Sequence, residues 1–257
     1  MTARPRRRAR VPASRPVLEI AVQDLAGYRV AADAGAARTE LCSALAATGG
    51  LTPSAGLLAA LVAERDARGP GAPGVHPLIR PRPGSFVYDA DELDVQVRDV
   101  RAAVEAGVDG VVVGTLTADG RVDTAALAAL VAASDGREVT FHRAVDSVED
   151  PFAVLDALAA AGVTRVLSSG GEARSIDGVR RLAAMVEHTA GAVQVMAGGG
   201  VRPVDIGALI AAGVDAVHLS ASRPVAGDGG PGGGGTSGHT VTDPDVVAEA
   251  AAALARG

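Results

Sequence analysis

The chain contains no lysine, so all 24 of its basic residues are arginines. A lysine amine forms Schiff bases, anchors pyridoxal phosphate and grips phosphate in Walker loops, and all three chemistries are therefore excluded. Cysteine is nearly absent too. Cys42 stands alone, which rules out an internal disulfide and fits a reducing, cytoplasmic setting. No Cys-x-x-Cys, His-x-His or His-Glu-x-x-His spacing occurs, so no sequence pattern for zinc is present. A G-x-S-x-G elbow is missing, and no G-x-G-x-x-G follows the first strand-like run, so neither a serine-hydrolase elbow nor an NAD site is expected. No apolar run approaches the roughly 18 residues of a membrane span, and a soluble protein with no membrane partner is expected.

What is present is ample material for a core, with 48% apolar residues. Charge is unevenly placed. Six arginines lie within residues 4–15, and the other 18 face 30 Asp and Glu. An acidic body repels nucleic-acid phosphates, so DNA or RNA is not expected as its partner. Residues 1–15, basic and without a following apolar stretch, read as a disordered tail and not as a secretory signal.

A joint recurs along the chain: Ala34-Gly35, Ala106-Gly107, Ala161-Gly162 and Ala212-Gly213 each precede a β-branched run. Glycine just past a helix takes the left-handed conformation cheaply, and the run that follows starts a buried strand. Completing the pattern predicts eight strands, at 17–22, 38–42, 75–81, 110–115, 138–144, 165–170, 192–198 and 216–221. Thr52-Pro53, Asp150-Pro151 and Asp243-Pro244 each read as a cap followed by a helix-starting proline. Eight alternating βα units at this length imply a single-domain α/β fold over 16–257, a closed (β/α)8 TIM barrel, with an open doubly wound sheet as the alternative. Residues 224–239, glycine-rich, read as a flexible loop.

Sites in such a barrel form at the C-terminal strand ends. There the sequence places Glu19, Glu40, Cys42, Arg80, Arg82, His142, Arg143, Asp146, Ser168, Ser169 and Ser220. Gly198, Gly199 and Gly200 offer backbone N–H groups to a phosphate, or else only make a tight turn. Arg80 and Arg82 suit a carboxylate or phosphate, unless Arg80 is spent on Glu40 or Glu19 inside the barrel. His142 with a carboxylate such as Asp146 or Glu40 suits general acid–base work; the alternative is a satisfied core histidine. His76 and His218, early or mid-strand, read as structural. Cys42 reads first as a small buried hydrophobe, with nucleophile and metal ligand as alternatives.

Taken in order, "RTELCSALAATGGLTPSAG", "HPLIRPRPGSFVYDADE", "DGVVVGTLTADGRVD", "VTFHRAVDSVEDP", "TRVLSSGG", "VMAGGGV" and "VHLSA" resemble the CutC family of copper homeostasis proteins. The resemblance implies a cytoplasmic TIM barrel that self-associates and has a copper(I) role with Cys42 as ligand. One departure stands out. Family members with a proposed copper site pair this cysteine with one on strand one, where this chain reads "LEIAVQD" with Ala21. Copper(I) favours two or more soft sulfurs, so weak copper binding is expected. The other readings are an enzyme acting on a small anionic or phosphorylated metabolite through His142 and Glu40, and a non-catalytic scaffold.

Overall fold

The structure, a computed structural model, describes residues 15–227 and 238–257. Most of the expected basic tail and the centre of the glycine-rich stretch lie outside the described residues. Eight parallel strands form the barrel: β1 (Val17–Val22), β2 (Arg38–Leu41), β3 (Gly74–Pro77), β4 (Gly110–Val113), β5 (Glu138–Phe141), β6 (Arg165–Ser168), β7 (Gln194–Gly198) and β8 (Ala216–Leu219). Their order is β3-β2-β1-β8-β7-β6-β5-β4. Just past β3 and within β4, a parallel bridge between Leu78 and Val112 closes the ring, with Ile79 N donating to Val112 O at 2.8 Å. The open doubly wound alternative is thereby excluded.

The helices are α1 (Leu25–Asp33), α2 (Leu45–Thr48), α3 (Ala55–Arg68), α4 (Ala90–Glu105), α5 (Thr124–Ala133), α6 (Pro151–Ala161), α7 (Val179–Thr189), α8 (Ile206–Ala211) and α9 (Pro244–Arg256), of which the one-turn α2 lies at the barrel mouth. All four Ala-Gly joints carry glycine at positive φ: 77° at Gly35, 90° at Gly107, 78° at Gly162 and 86° at Gly213. Asp150 and Asp243 cap α6 and α9, each with proline in the first turn. Thr52-Pro53 does not start a helix. Ser54 caps α3 instead, and Thr52 exchanges backbone and side-chain hydrogen bonds with Arg80, its N donating to Arg80 O at 3.0 Å and its Oγ1 accepting from Arg80 N at 2.9 Å.

Several strands stop short of the expected ends because the chain leaves the ladder there to build the barrel mouth. His142, for example, caps a 3-10 turn over Arg143–Ser147. The stretch 224–239 is not a plain loop at its edges. β9 (Ser222–Val225) and β10 (His239–Thr242) pair antiparallel there and form a small hairpin.

The barrel interior is unusual for the fold, whose inner layers are ordinarily branched aliphatics. Here Arg165, fully buried, donates to Glu138, Thr140 and Gln194, each at 3.0 Å. Glu19, also buried, accepts from Arg38 Nε at 2.8 Å. Buried charges survive only when paired and hydrogen-bonded, and these are. This ionic layer reaches the barrel mouth through Glu19, which is bonded to His218.

Candidate functional site at the barrel mouth

A cavity of about 370 Å³ opens at the C-terminal ends of the strands. Its polar wall comprises Glu40, Arg80, His142, Arg143 and His218, and its apolar wall includes Leu45, Leu78, Phe86, Leu167 and Leu219. Gly199, Gly200 and Ser220 border it, and Ser222 and Thr240 of the β9–β10 hairpin complete the rim.

On one side stand three stacked groups. Arg80 Nη1 donates to Thr48 O (2.8 Å) and Gly50 O (3.0 Å), and Nη2 to Gly84 O (3.0 Å). Its guanidinium lies 5.2 Å from the Phe86 ring centre, and that ring lies 4.7 Å from the His142 ring. Arg80 therefore pairs with neither Glu40 nor Glu19; backbone carbonyls take three of its Nη donors. Buried Arg80 Nε and buried His142 Nε2 have no hydrogen-bond partner among the described residues. His142 Nδ1 accepts from Ala144 N at 3.1 Å, which puts the ring hydrogen of the neutral form on Nε2. Burial, and after it the positive charge of Arg80, push the His142 pKa down to about 3. The ring occupies the space that a side chain at Gly114 would need: a methyl group there would fall inside it.

On β1, β2 and β8 a second set forms. His218 Nδ1 donates to Glu19 Oε1 at 2.8 Å, while its Nε2 lies 3.6 Å from Glu40 Oε2. Burial opposes charge on His218, but the Glu19 hydrogen bond and the Glu40 charge together raise its pKa. Burial would likewise raise Glu19, yet His218 and Arg38 hold it far below the usual carboxylate range. Glu40 is raised, chiefly by burial. The result is an imidazole whose outer nitrogen and a carboxylate share the wall of one cavity, a geometry suited to holding or moving a proton.

At the β7 end, Gly199 and Gly200 have φ of 108° and 59°. A side chain at Gly199 would meet the Arg143 guanidinium at 2.9 Å, so glycine keeps this cationic group close to the backbone.

Of the residues anticipated from sequence, Glu40, Arg80, His142, Arg143, Gly199, Gly200 and Ser220 line this cavity. The others lie elsewhere. Glu19 is beneath it, holding His218. Arg82 pairs with Glu92 and with the Ser85 and Val87 carbonyls outside the mouth. Asp146 accepts from Ser168 Oγ, Ser169 Oγ, Gly171 N and Arg143 Nε, so it ties down the loop after β6. Ser168 and Ser169 are spent in that network. A side chain on Gly198 would collide with Leu167 and, at 3.2 Å, with His218, so this glycine serves packing. Cys42 is not at the rim: it is fully buried with Leu78 and Val112. Sequence reasoning read His218 as structural and passed over Phe86, Ser222 and Thr240. The alternation in "VHLS" was a usable signal, since it puts His218 on the same face as Ser220.

Fold and site together define a (β/α)8 barrel with a small, polar, acid–base-lined cavity at its C-terminal mouth. Comparison with known proteins narrows that class. The CutC family model matches residues 16–223, and the chain belongs to the CutC family. It is 44% identical over 210 residues to a CutC family protein of Xanthomonas campestris pv. campestris, covering 81% of this chain and 85% of that one. Identity is 40% with a CutC family protein of Photobacterium profundum, over 80% and 83% of the two chains. A crystal structure of CutC from Streptococcus agalactiae, named for a provisional role in copper homeostasis, superposes with a TM-score of 0.75 at 31% identity, covering 80% of this chain and 98% of that one. Deoxyribose phosphate aldolase from Aeropyrum pernix shares the fold alone, with a TM-score of 0.60 at 18% identity over 81% and 86% of the two chains.

Proposed function

We propose that this CutC-family barrel binds a small anionic metabolite, carboxylate- or phosphate-bearing, in the mouth cavity. One observation carries the reading: two side chains that line a single cavity, Arg80 and His142, each keep a buried N–H group, Nε and Nε2, with no partner among the described residues. A buried donor without an acceptor costs about 1–3 kcal/mol, and an oxygen-rich ligand would recover that. Arg143 beside Gly199 and Gly200 supplies a further cation, and the cavity is not plugged by Arg–Glu pairs of the protein's own, as a purely structural mouth would be.

The copper association of the family enters here as a test of fit. Copper(I) wants clustered soft donors. Burial drives the Cys42 thiol well above its ordinary pKa, and the negative Glu40 adds to that, so the metal-binding thiolate is disfavoured. Met196, a second sulfur, on β7, takes a hydrogen bond from Arg38 at 3.7 Å and packs in a separate cluster with Leu167 and Ala216. Among the described residues no group of three or more His, Cys, Asp or Glu is placed to hold a metal ion. The donor set does not fit tight copper(I) binding, and on our reading any copper-linked role of this chain does not run through Cys42.

We also infer a cytoplasmic, self-associating protein, from the single cysteine and the family resemblance; among the described residues no helix is long and apolar enough to cross a membrane. The binding reading is tested by a thermal-shift screen of phosphosugars and small carboxylates at millimolar levels. Stabilisation by at least one anion, weakened in Arg143→Met, is the expected result. Folded protein that responds to none of them would overturn it.

A further inference from the structure

The cavity holds more than anion binding requires. Beside the two unpartnered donors it exposes a carboxylate, Glu40, that makes no hydrogen bond among the described residues and has only His218 as a close charged neighbour, at 3.6 Å. Glu19, one strand over, shows the contrast: it is saturated by Arg38 and His218. A carboxylate without a hydrogen bond and two side chains with unpartnered N–H groups, all lining one small cavity, are the parts of an enolisation site: a base for a C–H proton, and donors that a side-chain shift would turn to the oxygen that gains charge.

We propose that this cavity catalyses proton abstraction from the carbon next to a carbonyl in a small hydroxy-carbonyl compound bearing an anionic group, with Glu40 as base and Arg80 Nε and His142 Nε2 as donors to the developing enolate oxygen. The proposal rests on the anion-binding reading above. In the step, the C–H bond breaks and its electron pair becomes the new C=C bond. The carbonyl π pair moves to oxygen, and the proton passes to Glu40. Return of that proton from Glu40 to the former carbonyl carbon, with the proton of the adjacent hydroxyl passing to the first oxygen, completes an aldose–ketose isomerisation with no net oxidation and no co-reactant. Return to the original carbon regenerates the substrate and shows only as solvent exchange.

Three further features support this assignment. The chain has no lysine, so the carbonyl cannot be activated as a lysine Schiff base, and hydrogen-bond donors such as these are the route its own side chains offer. His142 is fixed as the Nε2–H tautomer by Ala144 N and stays neutral through burial; neutral imidazole is an established electrophile for carbonyl polarisation in barrel enzymes. The volume of about 370 Å³ suits a compound of metabolite size, with its anionic end toward Arg143.

The test is solvent exchange. The full chain is incubated in D2O with dihydroxyacetone phosphate, erythrose 4-phosphate or glyceraldehyde 3-phosphate, and deuterium entry next to the carbonyl is followed by NMR, alongside thermal shift with the same compounds. The expected result is exchange about 100-fold or more above buffer for at least one compound. Glu40→Gln should lower that rate about 100-fold while the thermal shift persists, and His142→Phe, which keeps the stack on Phe86, should lower it about 10- to 100-fold. Thermal stabilisation with exchange no faster than buffer, or equal exchange in Glu40→Gln and wild type, would sink the catalytic proposal and leave anion binding standing. Folded protein showing neither stabilisation nor exchange would overturn both.

Discussion

His218 lies between two carboxylates on neighbouring strands, bonded through Nδ1 to Glu19 at 2.8 Å and reaching toward Glu40 with Nε2 at 3.6 Å. Register accounts for this: Glu19 pairs with His218 across β1–β8, and Ala21 pairs with Glu40 across β1–β2.

That relationship gives the first prediction. In Glu19→Gln the larger of the two groups that lift His218 is lost, while burial, which pushes it down, and Glu40, which pushes it up, remain. The His218 pKa should fall, read from the Cε1 proton in an NMR titration. The same change strands Arg38, and breaking a buried pair costs about 3–5 kcal/mol, so the denaturation midpoint should fall as well. An unchanged His218 titration would show that Glu19 does not set its charge.

Gly114 is the second test. It has no catalytic chemistry of its own, yet a methyl there would enter the His142 ring. Gly114→Ala should move His142 off Phe86 and cost about 1–3 kcal/mol by overpacking. Anion-induced thermal stabilisation should weaken alongside, because the Nε2 donor moves with the ring. Wild-type stabilisation by the ligand in Gly114→Ala would remove His142 from the binding reading.

Acid should destabilise the fold through two buried histidines. Burial lowers His142 to about 3 and His76 to about 4 from 6.5. A depressed folded pKa contributes stability that is present above the unfolded value and lost as pH falls through it toward the folded one. Each histidine therefore removes about 1.4 kcal/mol per pH unit below 6.5. Glu40, raised on folding, binds its proton early and offsets part of this near pH 4.5; Glu19, lowered on folding, adds to the loss below that. Guanidinium unfolding at pH 7, 6, 5 and 4 measures the slope. His142→Phe should make it shallower by about one proton, and an unaltered slope would mean that His142 is charged in the folded protein.

The barrel was legible in the sequence because its cue is local. Gly35, Gly107, Gly162 and Gly213 all adopt the left-handed conformation that a helix end favours, and four such joints separated by β-branched runs leave few architectures. The site was legible only in part because strand alternation identifies a face but not how far along the barrel axis a side chain sits. Glu19 and Glu40 both point inward, yet one is sealed beneath His218 and the other opens on the cavity. His218 was set aside for its mid-strand position, although in this barrel that position borders the mouth cavity. The pairing of 222–225 with 239–242 was hidden by the glycines between them, since composition there speaks only for chain entropy.

Copper provides the last prediction, and it turns on Ala21. Cys42 is buried against Leu78 and Val112, with its Sγ donating only a long 3.9 Å contact to Val22 O. A single protonated thiol in an apolar cluster binds copper(I) poorly. Cys42→Ala should therefore leave the result of a copper(I) chelator competition nearly unchanged, at a stability cost of about 1–2 kcal/mol for the void. Ala21→Cys should do the opposite. It puts a second thiol on the neighbouring strand, and a second soft donor should raise copper(I) affinity at least about tenfold. If wild type already binds tightly and loses the metal in Cys42→Ala, one thiolate suffices and the donor-set argument fails. If Ala21→Cys gains nothing, the two positions do not meet in one coordination sphere, and the missing cysteine on strand one does not account for weak binding here.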